Sequence, residues 1–204
     1  MNNSKIESIV ERVSEWSKQQ LYLGYNKHDG LNSPVLNALL GWSKWSRIIA
    51  IQIIMRAPIN LRPFFLIRKT YNPKGLALYV QGYLDRYKAT NDNAYLIEAR
   101  SLLDKLVKYR TQGAWKGNAW GYLYPWQDPG FFSPSGMPNA VVTSFVCEAF
   151  LDAYLITKDK DYLQVVAGAI PFYLKDLPIL KESEDEMCLG YMPVKMSMRV
   201  MDVS

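Results

Sequence analysis

The sequence predicts an all-α fold made of antiparallel αα-hairpins, and three observations predict it. First, Leu84, Asp85, Tyr87, Asp92, Tyr95 and Leu96 recur as Leu151, Asp152, Tyr154, Asp159, Tyr162 and Leu163, at a constant offset of 67 residues. Each copy reads as the end of one helix, a tight polar turn and the start of a second, antiparallel helix. Second, apolar residues keep helical spacing through most of the chain. Third, 49% of the residues are hydrophobic and 21% charged, the balance of a chain with a sizeable core.

Taken in order, residues 4–23 place Ile6, Ile9, Val10, Val13, Trp16 and Leu21 on one side and Glu7, Glu11, Arg12 and Lys18 on the other. That is an amphipathic helix. Residues 24–34 are polar and turn-rich, and Ser33-Pro34 is a helix start signal. A second helix is expected over 34–56, then a proline-rich connector over 57–73 with a helical turn near Phe64 to Arg68. Helices over 74–90 and from Tyr95 to about Arg110 form the next hairpin, turning at Thr90 to Asn93. Helices over 139–157 and 161–176 form another, the last interrupted at Pro171. Asn139 is placed to cap its helix, and Asp92 and Asp159 to stabilise the helices that follow them. Residues 181–187 read as an acidic, solvated linker, and the tail from Cys188 as the approach to a further hairpin.

The exception to this helical pattern is Trp115 to Phe132. It holds three of the six tryptophans, two tyrosines and two phenylalanines, broken by Gly117, Gly121, Pro125, Pro129 and Gly130. No helix runs through that spacing, and the aromatic content argues against disorder. An ordered loop of this length is where function is expected.

Several classes are disfavoured. The net charge of +5 is spread without a basic run, so no nucleic-acid partner is expected. The most apolar run, Ile48 to Met55, is far shorter than the roughly 20 residues of a membrane span. The N-terminus lacks the pattern of a signal peptide, so a cytoplasmic protein without a membrane partner is expected. The cysteines, Cys147 and Cys188, form no CxxC or Cys/His cluster and there is one histidine, so no metal is expected; no cofactor is expected either.

Two constellations are candidates for chemistry. His28, the only histidine, lies beside Asp29 in a polar loop, as an acid/base pair or as a plain turn. Asp128, in the aromatic loop, is a second carboxylate; a pair of carboxylates is what glycoside hydrolysis uses. Trp115, Trp120 and Trp126 offer flat faces for sugar rings, and Asn118 and Gln127 offer amides for hydroxyls. Alternatively the tryptophans are core. Glu148 points either inward or to the helix edge. Arg56, Arg62, Arg68, Lys69 and Lys74 are either an anion clamp or a solvated surface.

The repeated junction, with Asp152-Ala153-Tyr154 followed by Asp159, Tyr162 and Leu163, resembles the turn motifs of the (α/α) toroid superfamily of glycosidases, epimerases and lyases. The resemblance covers residues 70–180. It implies part of a ring of about six hairpins with a site in the loops at one end. Hairpins are countable over 4–56, 74–110 and 139–176, so the chain resembles the N-terminal half of such a ring: one incomplete domain over 1–204, completed by a second chain or a further half. The implied activity is modification of a carbohydrate or polysaccharide. A non-catalytic helical module that binds a glycan or a protein is the competing class. A terpenoid-cyclase-like enzyme is the second enzyme alternative: Gln112 to Tyr122 is distantly similar to the Q/W repeat, but its spacing departs from it and the aspartate-rich motifs are absent.

Overall fold

Short polar caps start most of the helices. Ser33 accepts from the Leu36 N–H, Asn72 from Gly75, Asp92 from Ala94, Asn139 from Val142 and Asp159 from Asp161. Each side chain satisfies a donor that the first turn leaves orphaned. The computed structural model describes residues 3–194 and, further on, 202 and 203. Its helices are α1 (Asn3–Gln19), α2 (Pro34–Leu40), α3 (Lys44–Arg56), α4 (Pro73–Thr90), α5 (Asn93–Lys108), α6 (Ala140–Thr157) and α7 (Lys160–Ala167). A 3-10 turn covers Asp29–Asn32 and a π turn Phe172–Asp176.

The repeat is a repeated turn. Asn91 and Lys158 both adopt a left-handed conformation, with φ of 55° and 59°. A further pair, Thr90 and Thr157, completes it. Each threonine hydroxyl donates to the carbonyl four residues back, at 2.8 Å, and accepts from the N–H of the capping aspartate at 3.2 Å. This local network reverses the chain between α4 and α5 and again between α6 and α7. Asp92 and Asp159 are therefore structural.

The main core lies where α4, α5 and α6 meet. Leu76, Val80, Leu84, Leu102, Leu106 and Val146 are all nearly fully buried there. Each such side chain contributes roughly 1.5–3 kcal/mol by leaving water. The α6 helix is long and apolar enough to cross a membrane by length and composition alone. Its apolarity is used here against α4 and α7, with Val142, Val146, Ala149 and Phe150 buried. A second, smaller core joins the 3-10 turn, α2 and α3 through Leu31, Leu36, Ala50, Ile51, Ile54 and Ile67.

The fold is not all-α. It is about 56% helical, with two small antiparallel sheets, and is mixed α and β. One sheet pairs β1 (Trp126–Gln127) with β2 (Phe132–Ser133) inside the aromatic loop. The other is a hairpin of β3 (Ile179–Glu182) and β4 (Met187–Gly190), with β5 (Asp202–Val203) added to β4. The physical reason is backbone accounting. Glycine and proline bar a helix in these stretches, and the freed N–H and C=O groups pair across short strands instead. The acidic stretch expected as a solvated linker is thus the turn end of a hairpin, with Ser183 N–H donating to Glu186 O at 2.8 Å. Residues 195–201 and 204, part of the expected further hairpin, lie outside the described residues.

The expected first hairpin over 4–56 is also corrected. The helix expected over 34–56 breaks at Gly41–Ser43, where Ser43 and Ser46 form a capping box for α3. The α1 helix does not present its apolar stripe to a core. Its polar edge meets α4 and α5: Ser17 Oγ lies 2.6 Å from Tyr79 OH, Lys18 reaches Glu98 at 3.6 Å and Glu11 reaches Arg86 at 3.7 Å. Ile9, Val13 and Trp16 are left exposed.

Candidate functional site

The aromatic loop divides into two parts with different partners. Residues 115–121 dock on the helical body. Trp120 is fully buried, its Nε1 donating to Leu106 O at 2.7 Å and its ring 6.3 Å from that of Phe150. Asn118 is fastened on three sides: its N–H to Gly168 O, its Nδ2 to Val165 O and its Oδ1 to Arg110. Glycine is required at two points in this part. A Cβ on Gly117 would overlap the Phe172 backbone, and one on Gly121 the Met137 carbonyl. Trp115 is half-buried, and its Nε1 is buried without a partner among the described residues. The structure therefore places Trp120 in the core rather than on a stacking platform, and uses Asn118 to anchor the loop.

Residues 122–133 instead meet the His28 turn. The β1–β2 hairpin is held to α3 by Arg47, whose Nε donates to Gln127 Oε1 at 2.9 Å and whose guanidinium covers the Phe132 ring at 4.8 Å. Gln127 Nε2 donates to the Asp128 and Phe131 carbonyls, both at 2.7 Å. The amide proposed for a sugar hydroxyl is thus occupied inside the hairpin. Asp128 Oδ1 accepts from the Gly130 and Phe131 N–H groups at 2.6 and 2.9 Å, folding the hairpin tip.

His28 immediately precedes the 3-10 turn without a side-chain capping bond, and its ring lies 6.4 Å from that of Trp126. Trp126 makes an edge-on contact with Phe131 at 5.0 Å, and Phe131 in turn meets Tyr191 at 6.1 Å. The structure does bring the His28 turn and the aromatic loop together. It does not make a His–Asp pair. Asp29 is 1% exposed, and its carboxylate accepts from Arg62 Nε at 2.9 and 3.1 Å and from Asn26 N–H at 2.8 Å. Among the described residues no hydrogen bond joins it to His28. Burial first, and then the charge of Lys27, holds the His28 imidazole below its ordinary value, with Asp29 pulling weakly the other way. His28 is therefore neutral at neutral pH and able to accept a proton.

The residues that sequence reasoning missed are Tyr122, Tyr124 and Tyr191. The Tyr122 and Tyr124 rings are 5.5 Å apart. Burial raises all three phenols. Tyr124 is raised further by Tyr122, Asp29 and Tyr191, and Tyr191 by Tyr122 and Asp128. Tyr124 and Tyr191 are buried, and Tyr122 is half-buried. Among the described residues these hydroxyls form no hydrogen bond with the protein. One signal was available: Tyr122 and Tyr124 stand two residues apart in the aromatic loop. Nothing in the sequence points to Tyr191, which arrives from beyond the β3–β4 hairpin.

Among the described residues no group of three His, Cys, Asp or Glu side chains is placed to hold a metal ion. Cavities of about 440 and 240 Å³ lie elsewhere, along α1, lined by residues such as Val13, Leu78, Tyr79 and Tyr83. The charged groups that line the first are already paired within the protein, Lys18 with Glu15 and Glu98 and Arg86 with Glu11. The rings of His28, Trp126 and Phe131, all half-buried, gather away from these cavities, and the buried Trp126 Nε1 has no partner among the described residues. No family model, curated protein or solved structure matches this chain.

Proposed function

We propose that the protein binds a carbohydrate on the face where the His28 turn meets the β1–β2 hairpin. The observation that supports this reading is the chain of rings His28, Trp126, Phe131 and Tyr191 where the turn meets the hairpin, with the Tyr122–Tyr124 pair just before it in the same loop. A sugar presents a flat C–H face and a rim of hydroxyls. The rings take the first, and the phenol of half-buried Tyr122, which both donates and accepts, takes the second. The reading favours binding over two-carboxylate hydrolysis because both aspartates already hold protein groups: Asp29 a guanidinium and a backbone N–H, Asp128 two backbone N–H groups.

The test is a glycan-array screen followed by titration of a retained glycan into Tyr122→Phe. Tyr122 is half-buried, so losing its hydroxyl leaves the packing in place. One lost hydrogen bond weakens affinity about three- to tenfold. Unchanged affinity, or an array with no retained glycan, would remove the reading.

A further inference from the structure

Between Gly30 and Leu84 the chain has seven lysines and arginines and no aspartate or glutamate. A net charge of +5 for the whole chain means that the rest is net negative. The same stretch carries an exposed apolar stripe. On α3, Trp45, Ile49 and Ile53 recur every four residues, which puts them on one side of the helix, and they are 64%, 53% and 40% exposed. Leu39 at 64% and Trp42 at 77% continue it through the α2–α3 connection. The opposite side of α3, with Ala50, Ile51 and Ile54, is the buried one. So α3 is apolar on both sides, and only one is used by the fold.

The cations sit at the ends of this stripe. Lys44 begins α3 and covers the Trp45 ring at 5.0 Å; exposed Arg56 ends it. The Trp42 indole N–H already donates to Leu39 O at 3.0 Å, so the ring can enter an apolar phase without an orphaned donor. Tryptophans beside aliphatic side chains, flanked by lysine and arginine, form the pattern of a surface that lies in the headgroup layer of a bilayer. We propose that the α2–α3 face docks on an anionic lipid membrane, with α3 parallel to the surface and Trp42 and Trp45 inserted. Charge decides among the occupants. A second copy would set the Lys44 and Arg56 of one face against those of another, which repels. An acidic protein would need directional polar partners along the stripe, and the stripe side chains are hydrocarbon and indole.

The test is co-sedimentation of the full chain with vesicles of phosphatidylcholine alone and of phosphatidylcholine mixed with phosphatidylglycerol. Binding is expected on the mixed vesicles, at least tenfold weaker on the neutral ones, and reduced by added salt. Arg56→Glu reverses one charge at the edge and should weaken binding to mixed vesicles by roughly tenfold or more. Trp45→Ser with Ile49→Ser should abolish it while leaving the circular dichroism unchanged, since both positions are exposed. No binding to either vesicle, equal binding to both, or undiminished binding of the double variant would overturn the proposal. So would a dimer in gel filtration that the double variant dissociates, which would assign the face to a second copy.

Discussion

Replacing Asp29 with asparagine separates a structural carboxylate from a catalytic one. The side chain is 1% exposed and faces an Arg62 side chain that is 17% exposed, with Nε 2.9 Å from Oδ1. Asparagine keeps an acceptor for the Asn26 N–H but removes the charge. Breaking a buried pair costs about 3–5 kcal/mol because the other ion is left uncompensated. Arg62 is partly solvated, still donates to Asn26 O at 2.9 Å and still lies over the Tyr25 ring, so the lower end applies. The expected cost is about 3 kcal/mol, a fall in melting temperature of about 6–12 °C for a chain of this size. Adding Arg62→Met removes the orphaned cation and should recover a large part of the loss. Thermal denaturation followed by circular dichroism reads both variants. A melting point within about 2 °C of the parent would refute the buried-pair argument, and an additive double variant would refute the coupling.

Other expectations follow from the same packing. Trp120→Phe removes the hydrogen bond to Leu106 O and opens a void in the main core, and urea titration should show a loss of about 2–3 kcal/mol. Gly121→Ala places a methyl group against the Met137 carbonyl and should undock the aromatic loop, seen as rapid amide exchange at the Trp120 and Asn139 N–H groups with α4 and α5 still protected. His28 has a lowered folded-state value, so below about 6.5 the unfolded chain takes up the proton first and stability falls with falling pH, an effect absent well above that value. His28→Gln should flatten that slope between about pH 5 and 7 in paired denaturation series; an unchanged slope would show that His28 does not produce it.

How far the chain could be read follows from how local its determinants are. The junctions at Asp92 and Asp159 were legible because cap, turn and threonine lie within a few residues of one another. The aromatic loop was legible as a loop, since glycine and proline act where they stand. Which of its rings face inward was not. Trp120 is core because Leu106 and Phe150 happen to receive it, whereas Trp126 is held at the edge by Phe131 and the smaller core. Strands of two to four residues carry no periodicity of their own, so β1 to β5 depend on partners set by the tertiary fold. The α1 helix misled for a related reason: its stripe predicts burial, but the hydroxyl of Ser17 and the charges of Glu11 and Lys18 choose the packed edge. The His28–Asp29 pair dissolved because Arg62, far off in sequence, competes for the carboxylate with a stronger, charge-assisted bond.

The proposed sugar face is shared by His28, Trp126 and Phe131. Its most direct test is the two-dimensional amide and indole NMR spectrum of the protein titrated with an array-selected glycan. The account predicts shifts confined to the His28 turn and residues 122–133, with the Trp126 indole N–H moving and that of the buried Trp120 unmoved. Shifts along the α1–α4 cavity instead, with the Trp126 signal unchanged, would contradict it.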